Sequence, residues 1–187
     1  KHPATFMFLL ESVLLGAATL IVILGVISII LPRQIHLQRE ITINAPAEMA
    51  YEQLSDLRNW PKWLPGHQID PSKSLNYAGA SIGERYNWTS QRRSIGESVV
   101  TIVDAEPPSR LVTNVEFEKA DKANSIFVLE ETEEGTKLTW HFNQYIGDNP
   151  IRKFSSLLID STIGEDFEDG LENIKKEVES RYAMTDN

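Results

Sequence analysis

Ser98, Asp104, Thr113 and Gln144 are the polar residues that strand parity turns to the same side as a long series of aromatic residues. A carboxylate and hydroxyls among rings could serve an acid–base enzyme acting on an apolar substrate, provided the site shifts their pKa values. Asp104 adjoins "AEPP" at a strand end, the setting of a solvated turn, which weakens the set as catalytic machinery. The four histidines, His2, His36, His67 and His141, are scattered without metal-ligand spacing, and His141 falls on the solvent side of its strand. No Gly-rich phosphate loop or nucleophile elbow occurs, since "ASIG" and "RSIG" lack the flanking pattern. The absence of cysteine removes disulfides, thiolate chemistry and Cys-based zinc sites. No catalytic residue, metal or cofactor is assigned from sequence, and the chain reads more readily as a binder than as an enzyme. Asn87-Trp88-Thr89 matches a glycosylation acceptor, but a three-residue match carries little weight.

Charge narrows the partners. With 18 basic against 27 acidic residues the net charge is -9, which argues against nucleic acid as the main partner, because neutralising phosphates needs a basic face. The paired Arg92 and Arg93 lie in "TSQRRSIG", which reads as an exposed hairpin tip.

The elements that would position an apolar site follow from periodicity. "QIHLQREITIN" alternates as a strand, and "APAEMAYEQLSDL" follows as a helix with Met49, Leu54 and Leu57 along it. Next comes "DLRNWPKWLPG", where Trp60 and Trp63, three apart, would share a face of a short helical turn stiffened by Pro61 and Pro65. Six short strands separated by turn signals then imply an antiparallel meander. From Pro150 to about Tyr182 the pattern is helical, with Gly164 and Gly170 allowing a kink or close packing on a sheet.

Alternation places Tyr86 with Trp88, Val100 with Ile102, and Val115 with Phe117 on one side of the sheet. Phe127, Leu129, Leu138, Trp140 and Phe142 continue that side, opposite Arg85, Asn87, Glu116, Lys137 and His141. The long helix would cover this apolar face with Phe154, Leu158, Phe167, Leu171, Ile174 and Val178. Trp60, Trp63, Tyr86, Trp88, Val100, Ile102, Val115 and Phe117 are candidate pocket residues from the first half. Phe127, Leu129, Trp140, Phe142, Phe154, Leu158 and Phe167 complete the set. Each would equally serve as plain core, since burying one large apolar side chain stabilises by about 1.5–3 kcal/mol without any ligand.

Ahead of this domain, Ser12–Leu31 is a 20-residue run without charge. As a helix it would extend roughly 30 Å, the thickness of the hydrocarbon layer. A cleavable signal peptide would have a shorter apolar region and an A-x-A-like site, so a retained single-pass anchor in the cell (inner) membrane is expected. Lys1 on one side and Arg33 and Arg39 on the other do not decide its orientation. Ser12 and Gly16 form a small-xxx-small pair that could contact another membrane helix. The expected organisation is a tail and span over 1–33, a soluble domain over 34–183 and a tail over 184–187.

Strand, helix, six strands, long helix: this order resembles the helix-grip fold, an α+β architecture with about seven strands on a C-terminal helix. At "ITINAPAEMAYEQLSDLRNWPKW" the sequence resembles the START-like, birch-allergen-like superfamily, and within it the polyketide cyclase/dehydrase and lipid transport (SRPBCC) family. "EEGTKLTWHF" and "IGEDFEDGLENIKKEVE" are similar to that family's last strand and final helix. The resemblance implies a hydrophobic cavity between sheet and helix. Its ligand would be a lipid, quinone or isoprenoid, drawn from the bilayer that holds the anchor. The fold alone does not choose among functions. A non-catalytic accessory subunit of a larger membrane complex and a cyclase- or dehydratase-like enzyme are the alternatives.

Overall fold

A computed structural model of the chain describes residues 3–65, 74–89, 97–117 and 122–185. Helix α1 (Pro3–Ile30) is the apolar run, and its stretch Met7–Ile30 is long and apolar enough to cross a membrane. It is not a core helix, because nearly every large apolar side chain on it is exposed.

Strand β1 (Gln34–Ile43) follows, buried at Ile35, Leu37 and Ile43. Helix α2 (Ala47–Ser55) starts after Pro46 and buries Ala47, Ala50, Tyr51 and Leu54. A 3₁₀ turn (Leu57–Asn59) and the short helix α3 (Trp60–Trp63) come next. The meander is β2 (Ser74–Ala78), β3 (Arg85–Thr89), β4 (Glu97–Glu106), β5 (Arg110–Phe117), β6 (Ala123–Thr132) and β7 (Gly135–Tyr145). All neighbours pair antiparallel in the order β1-β7-β6-β5-β4-β3-β2. α2 and α3 therefore carry the chain from one edge of the sheet to the other, and the meander returns to pair β7 with β1. This crossing is what lays the two tryptophans over the inner face.

The expected single final helix is two. Helix α4 (Pro150–Ser156) is capped by Asn149, whose side chain accepts from the Ile151 and Arg152 amides, and α5 (Ile159–Thr185) follows. Between them the Leu157 and Leu158 amides reach back only three residues, to the Phe154 and Ser155 carbonyls. That tighter turn changes the helical face. α5 lies against the inner face of the sheet through Phe167, Leu171, Ile174 and Val178, while α4 packs on the end of α1. Phe154 and Leu158 accordingly leave the sheet–helix space: Phe154 is half-buried outside the core, and Leu158 is 64% exposed.

Neither Gly164 nor Gly170 breaks α5; both let something come close. A Cβ at Gly164 would sit 2.6 Å from the Arg39 guanidinium, which crosses there to reach Asp160 and Glu168. A Cβ at Gly170 would sit 3.3 Å from the Trp140 ring.

Register fixes which end of the sheet is which. Gln34 pairs with Tyr145, Gln144 with Ala123, Ala123 with Val115, Phe117 with Ser98 and Ser98 with Trp88. These residues mark the end nearest α1. Ile43, Thr136 and Thr132 mark the far end.

Candidate functional site

An apolar pocket of about 220 Å³ lies between the inner face and α5. One wall is sheet: Trp88 from β3, Val100 from β4, Val115 and Phe117 from β5, Ser125 from β6, Trp140 and Phe142 from β7. The opposite wall is Ile163, Asp166 and Phe167 of α5, and α3 with the residues after it adds Trp60, Leu64 and Pro65. Phe117, Trp88 and Phe142 come from the α1-end rungs, so the pocket occupies that half of the sheet–helix space.

Aromatic contacts build the walls. Trp140 packs on Phe167 in a tilted arrangement with centroids 4.1 Å apart, and Phe142 meets Phe167 edge-on at 5.4 Å. Trp60 and Trp63 lie 4.9 Å apart, and both contact Phe127 edge-on. Such arrangements favour ring quadrupoles and hold the wall in one conformation. α3 is pinned from two sides: the Trp60 indole donates to the Leu54 carbonyl at 2.8 Å, and the Asn173 amide donates to the Trp63 carbonyl at 3.2 Å.

The residues read as pocket candidates separate into three places. Trp60, Trp88, Val100, Val115, Phe117, Trp140, Phe142 and Phe167 line the pocket. Trp63, Tyr86, Ile102, Phe127 and Leu129 are buried in the core around it. Phe154 and Leu158 lie outside, for the reason given above. Sequence reasoning missed Leu64, Pro65, Ser125, Ile163 and Asp166. Ser125 and Ile163 carry the strand and helix spacings that would have found them; Asp166 sits at the exposed rim, where composition gives no signal.

The polar candidates also divide. Ser98 and Thr113 are buried on the inner side, and Gln144 is half-buried at the α1 end. Asp104 is a correction. Ile102 pairs with Thr113 but Asp104 with Val112, so Val103 is an extra residue in a β-bulge. One extra residue inverts parity beyond it, which turns Asp104 outward. There Asp104 and Glu106 both accept from Arg110 at 2.6 Å. The Arg110 guanidinium holds both carboxyls below their ordinary range and is itself raised by them. Arg92, Arg93, His2 and His67 lie outside the described residues.

The sign of the pH effect follows. A carboxylate with a depressed folded pKa contributes stability above its unfolded pKa, about 4, and loses it as pH falls through the folded value. Thermal melts of the wild type and Arg110→Met from about pH 6 to about pH 2 should therefore converge at the acid end. A gap that stays constant over that range would show that these ion pairs do not contribute. The effect is small because the cluster is exposed.

Inside the pocket the chemistry is mostly surface complementarity. Among the lining residues the Trp140 indole N–H is buried with no hydrogen-bond partner; the Thr113 hydroxyl, outside the lining, is also unpartnered. Two larger hollows are edged by charge. One of about 420 Å³ is lined by Glu131, Glu133 and Glu134 beside Tyr182; the other, about 450 Å³, by Asp56, Arg58 and Glu84 beside Tyr51. Both have more polar walls than the pocket under α5, whose lining is the apolar kind that small-molecule sites use. No group of three or more metal-ligating side chains occurs among the described residues.

Known structures share this architecture. A protein of unknown function from Staphylococcus aureus superposes with a TM-score of 0.63 at 11% identity, over 79% of this chain and 95% of that one. The di-domain ARO/CYC StfQ of the steffimycin biosynthetic pathway gives 0.61 at 13% identity, over 79% of this chain and 51% of StfQ. A protein from Mycobacterium smegmatis gives 0.54 at 15% identity, over 79% and 92% of the two chains. No curated protein matches the sequence. At these identities the structural neighbours speak for the fold. The family model described as polyketide cyclase / dehydrase and lipid transport matches residues 34–179, most of the chain. With that match on a seven-stranded antiparallel sheet and its covering C-terminal helix, the chain belongs to the polyketide cyclase / dehydrase and lipid transport family.

Proposed function

We propose that the chain is a membrane-anchored binding protein that holds a small apolar molecule, or the end of a longer one, between the sheet and α5. The observation that carries this reading is the position of the aromatic pocket in the half of the domain nearest α1. A span there keeps the pocket beside a bilayer and raises the effective concentration of bilayer-soluble ligands without extra contacts. The volume sets the size of the guest. A cavity of about 150 Å³ holds a single benzene ring, so about 220 Å³ suits one or two rings or a few isoprene-like carbons. A whole phospholipid would leave most of its length outside.

The test is chemical. The full chain is purified in mild detergent, extracted into organic solvent and analysed by mass spectrometry, beside a Val115→Trp variant that fills the pocket. The wild type should carry an apolar species enriched over the membrane extract, and the variant should lose most of it while melting at a similar temperature. Equal recovery from both chains, or no enrichment in either, would sink the reading.

A further inference from the structure

The end of α1 carries a built junction. In a continued helix the Ser28 carbonyl would accept from the amide of residue 32, but that residue is Pro32 and has no N–H. Lys153 supplies the missing donor: its Nζ lies 2.9 Å from the Ser28 carbonyl oxygen, with the side chain only 3% exposed. An ammonium at a helix C-terminus also complements the helix dipole. Asp148 lies 3.7 Å from the same Nζ and 2.7 Å from Arg33, and the Ile146 amide donates to the Arg33 carbonyl at 2.9 Å. These contacts hold α4 against the last turn of α1. Ser28 is two residues, about 3 Å of rise, inside the helix end.

The surface that α4 then presents is apolar. Ile151 is 79% exposed, Leu157 59% and Leu158 64%. Ile151 lies in the first turn of α4 and Leu157 and Leu158 in the tight turn that ends it, whereas Lys153 points toward α1. Tyr145, half-exposed, ends β7 opposite Gln34, four residues after the end of α1. The patch continues the apolar surface of α1, whose Ile29 and Ile30 are among its most exposed residues. Three large apolar side chains exposed within eight residues mark a contact surface.

We infer that α4 and the turn after it form an interfacial segment, with Ile151, Leu157 and Leu158 seated at the headgroup–acyl boundary of the bilayer that α1 crosses and Lys153 locking it to the end of the span. The inference rests on the reading of α1 as a membrane span. The occupant is lipid because the patch lies at the depth of the span's last turn, where any surface not covered by protein meets the bilayer boundary. The tyrosine fits the same layer. The consequence is orientation: the α1 end of the sheet, and with it the pocket, is held facing the bilayer.

The absence of cysteine makes depth measurements direct. Single variants Ile151→Cys and Leu158→Cys, with Val22→Cys in mid-span and Glu133→Cys at the far end of the sheet, are labelled with an environment-sensitive fluorophore. The full chain is then reconstituted in phosphatidylcholine vesicles containing lipids brominated at shallow or deep acyl positions. Labels at 151 and 158 should be quenched by shallow bromines, the label at 22 by deep bromines, and the label at 133 by neither. In a Lys153→Gln background the shallow quenching should be lost while that at position 22 persists. Quenching at 22 with positions 151 and 158 behaving like 133 overturns the interfacial segment and leaves the anchor standing. No quenching at 22 overturns the anchor and the inference together. Unchanged quenching in the Lys153→Gln background overturns the lock.

Discussion

Trp63→Ala is expected to cost about 3–5 kcal/mol of folding stability, a large share of what a domain of this size has. Trp63 is fully buried, contacts the rings of Trp60, Phe127 and Trp140, and faces the glycine gap at Gly170. Its removal opens a cavity bounded by a four-residue helix and two strands, none of which can close on it without moving the others. The drop in melting temperature, followed by far-UV circular dichroism in detergent, should be on the order of 10 °C. Trp60→Ala should cost less, because one side of that ring faces the pocket rather than close-packed core. Trp63→Phe is the informative partner. The Trp63 indole N–H is buried without a partner, so phenylalanine keeps much of the ring and removes an orphan donor. A small loss for Trp63→Phe beside a large one for Trp63→Ala assigns the residue to packing. Equal and minor losses would place it on a ligand-facing wall instead.

That distinction marks where sequence reading stops. The fold was legible because periodicity changes twice. Strand alternation between Ser74 and Tyr145 contrasts with the 4-3-4 spacing of Phe167, Leu171, Ile174 and Val178, and the tryptophan–proline run sits at the crossing between sheet edges. The inner face was legible by parity alone, as far as the bulge at Val103, where one unpaired residue reversed it and sent Asp104 outward. Pocket and core were not separable. Val115 and Leu129 obey the same alternation, and which of them borders empty space depends on how far α5 and α3 stand off the sheet. The break at Leu157–Leu158 was hidden as well, because a 3₁₀ turn between two helices keeps an apolar spacing that continues the helical pattern. The Lys153–Ser28 contact spans 125 residues and has no local signature, although Pro32 announces an unsatisfied carbonyl four residues earlier.

Gly135→Ala tests the far end of the sheet and should be the most damaging single-methyl change in the domain. Gly135 has φ of 121° and starts β7 directly after the Glu133-Glu134 turn. Its missing Cβ would lie 2.2 Å from the Ile43 carbonyl oxygen and 3.0 Å from the Asn44 Cα. Both are backbone atoms at the end of β1, so no side chain can rotate away. Either β1 and β7 part or the turn shifts register, and backbone strain adds to the overlap, for a loss on the order of 4 kcal/mol. Gly83→Ala provides the control. Gly83 also has positive φ, 91°, but nothing lies within 4 Å of its would-be Cβ, so only the conformational cost of about 1–3 kcal/mol applies. Urea titrations of the two variants should differ by the contribution of the overlap, and equal midpoints would show that β1 yields freely there. The pocket draws on the opposite half of the strands, from Trp140 toward Tyr145 rather than toward Gly135. The Gly135→Ala molecules that remain folded should therefore retain ligand in the same proportion as the wild type, whereas Val115→Trp molecules, folded in full, should not.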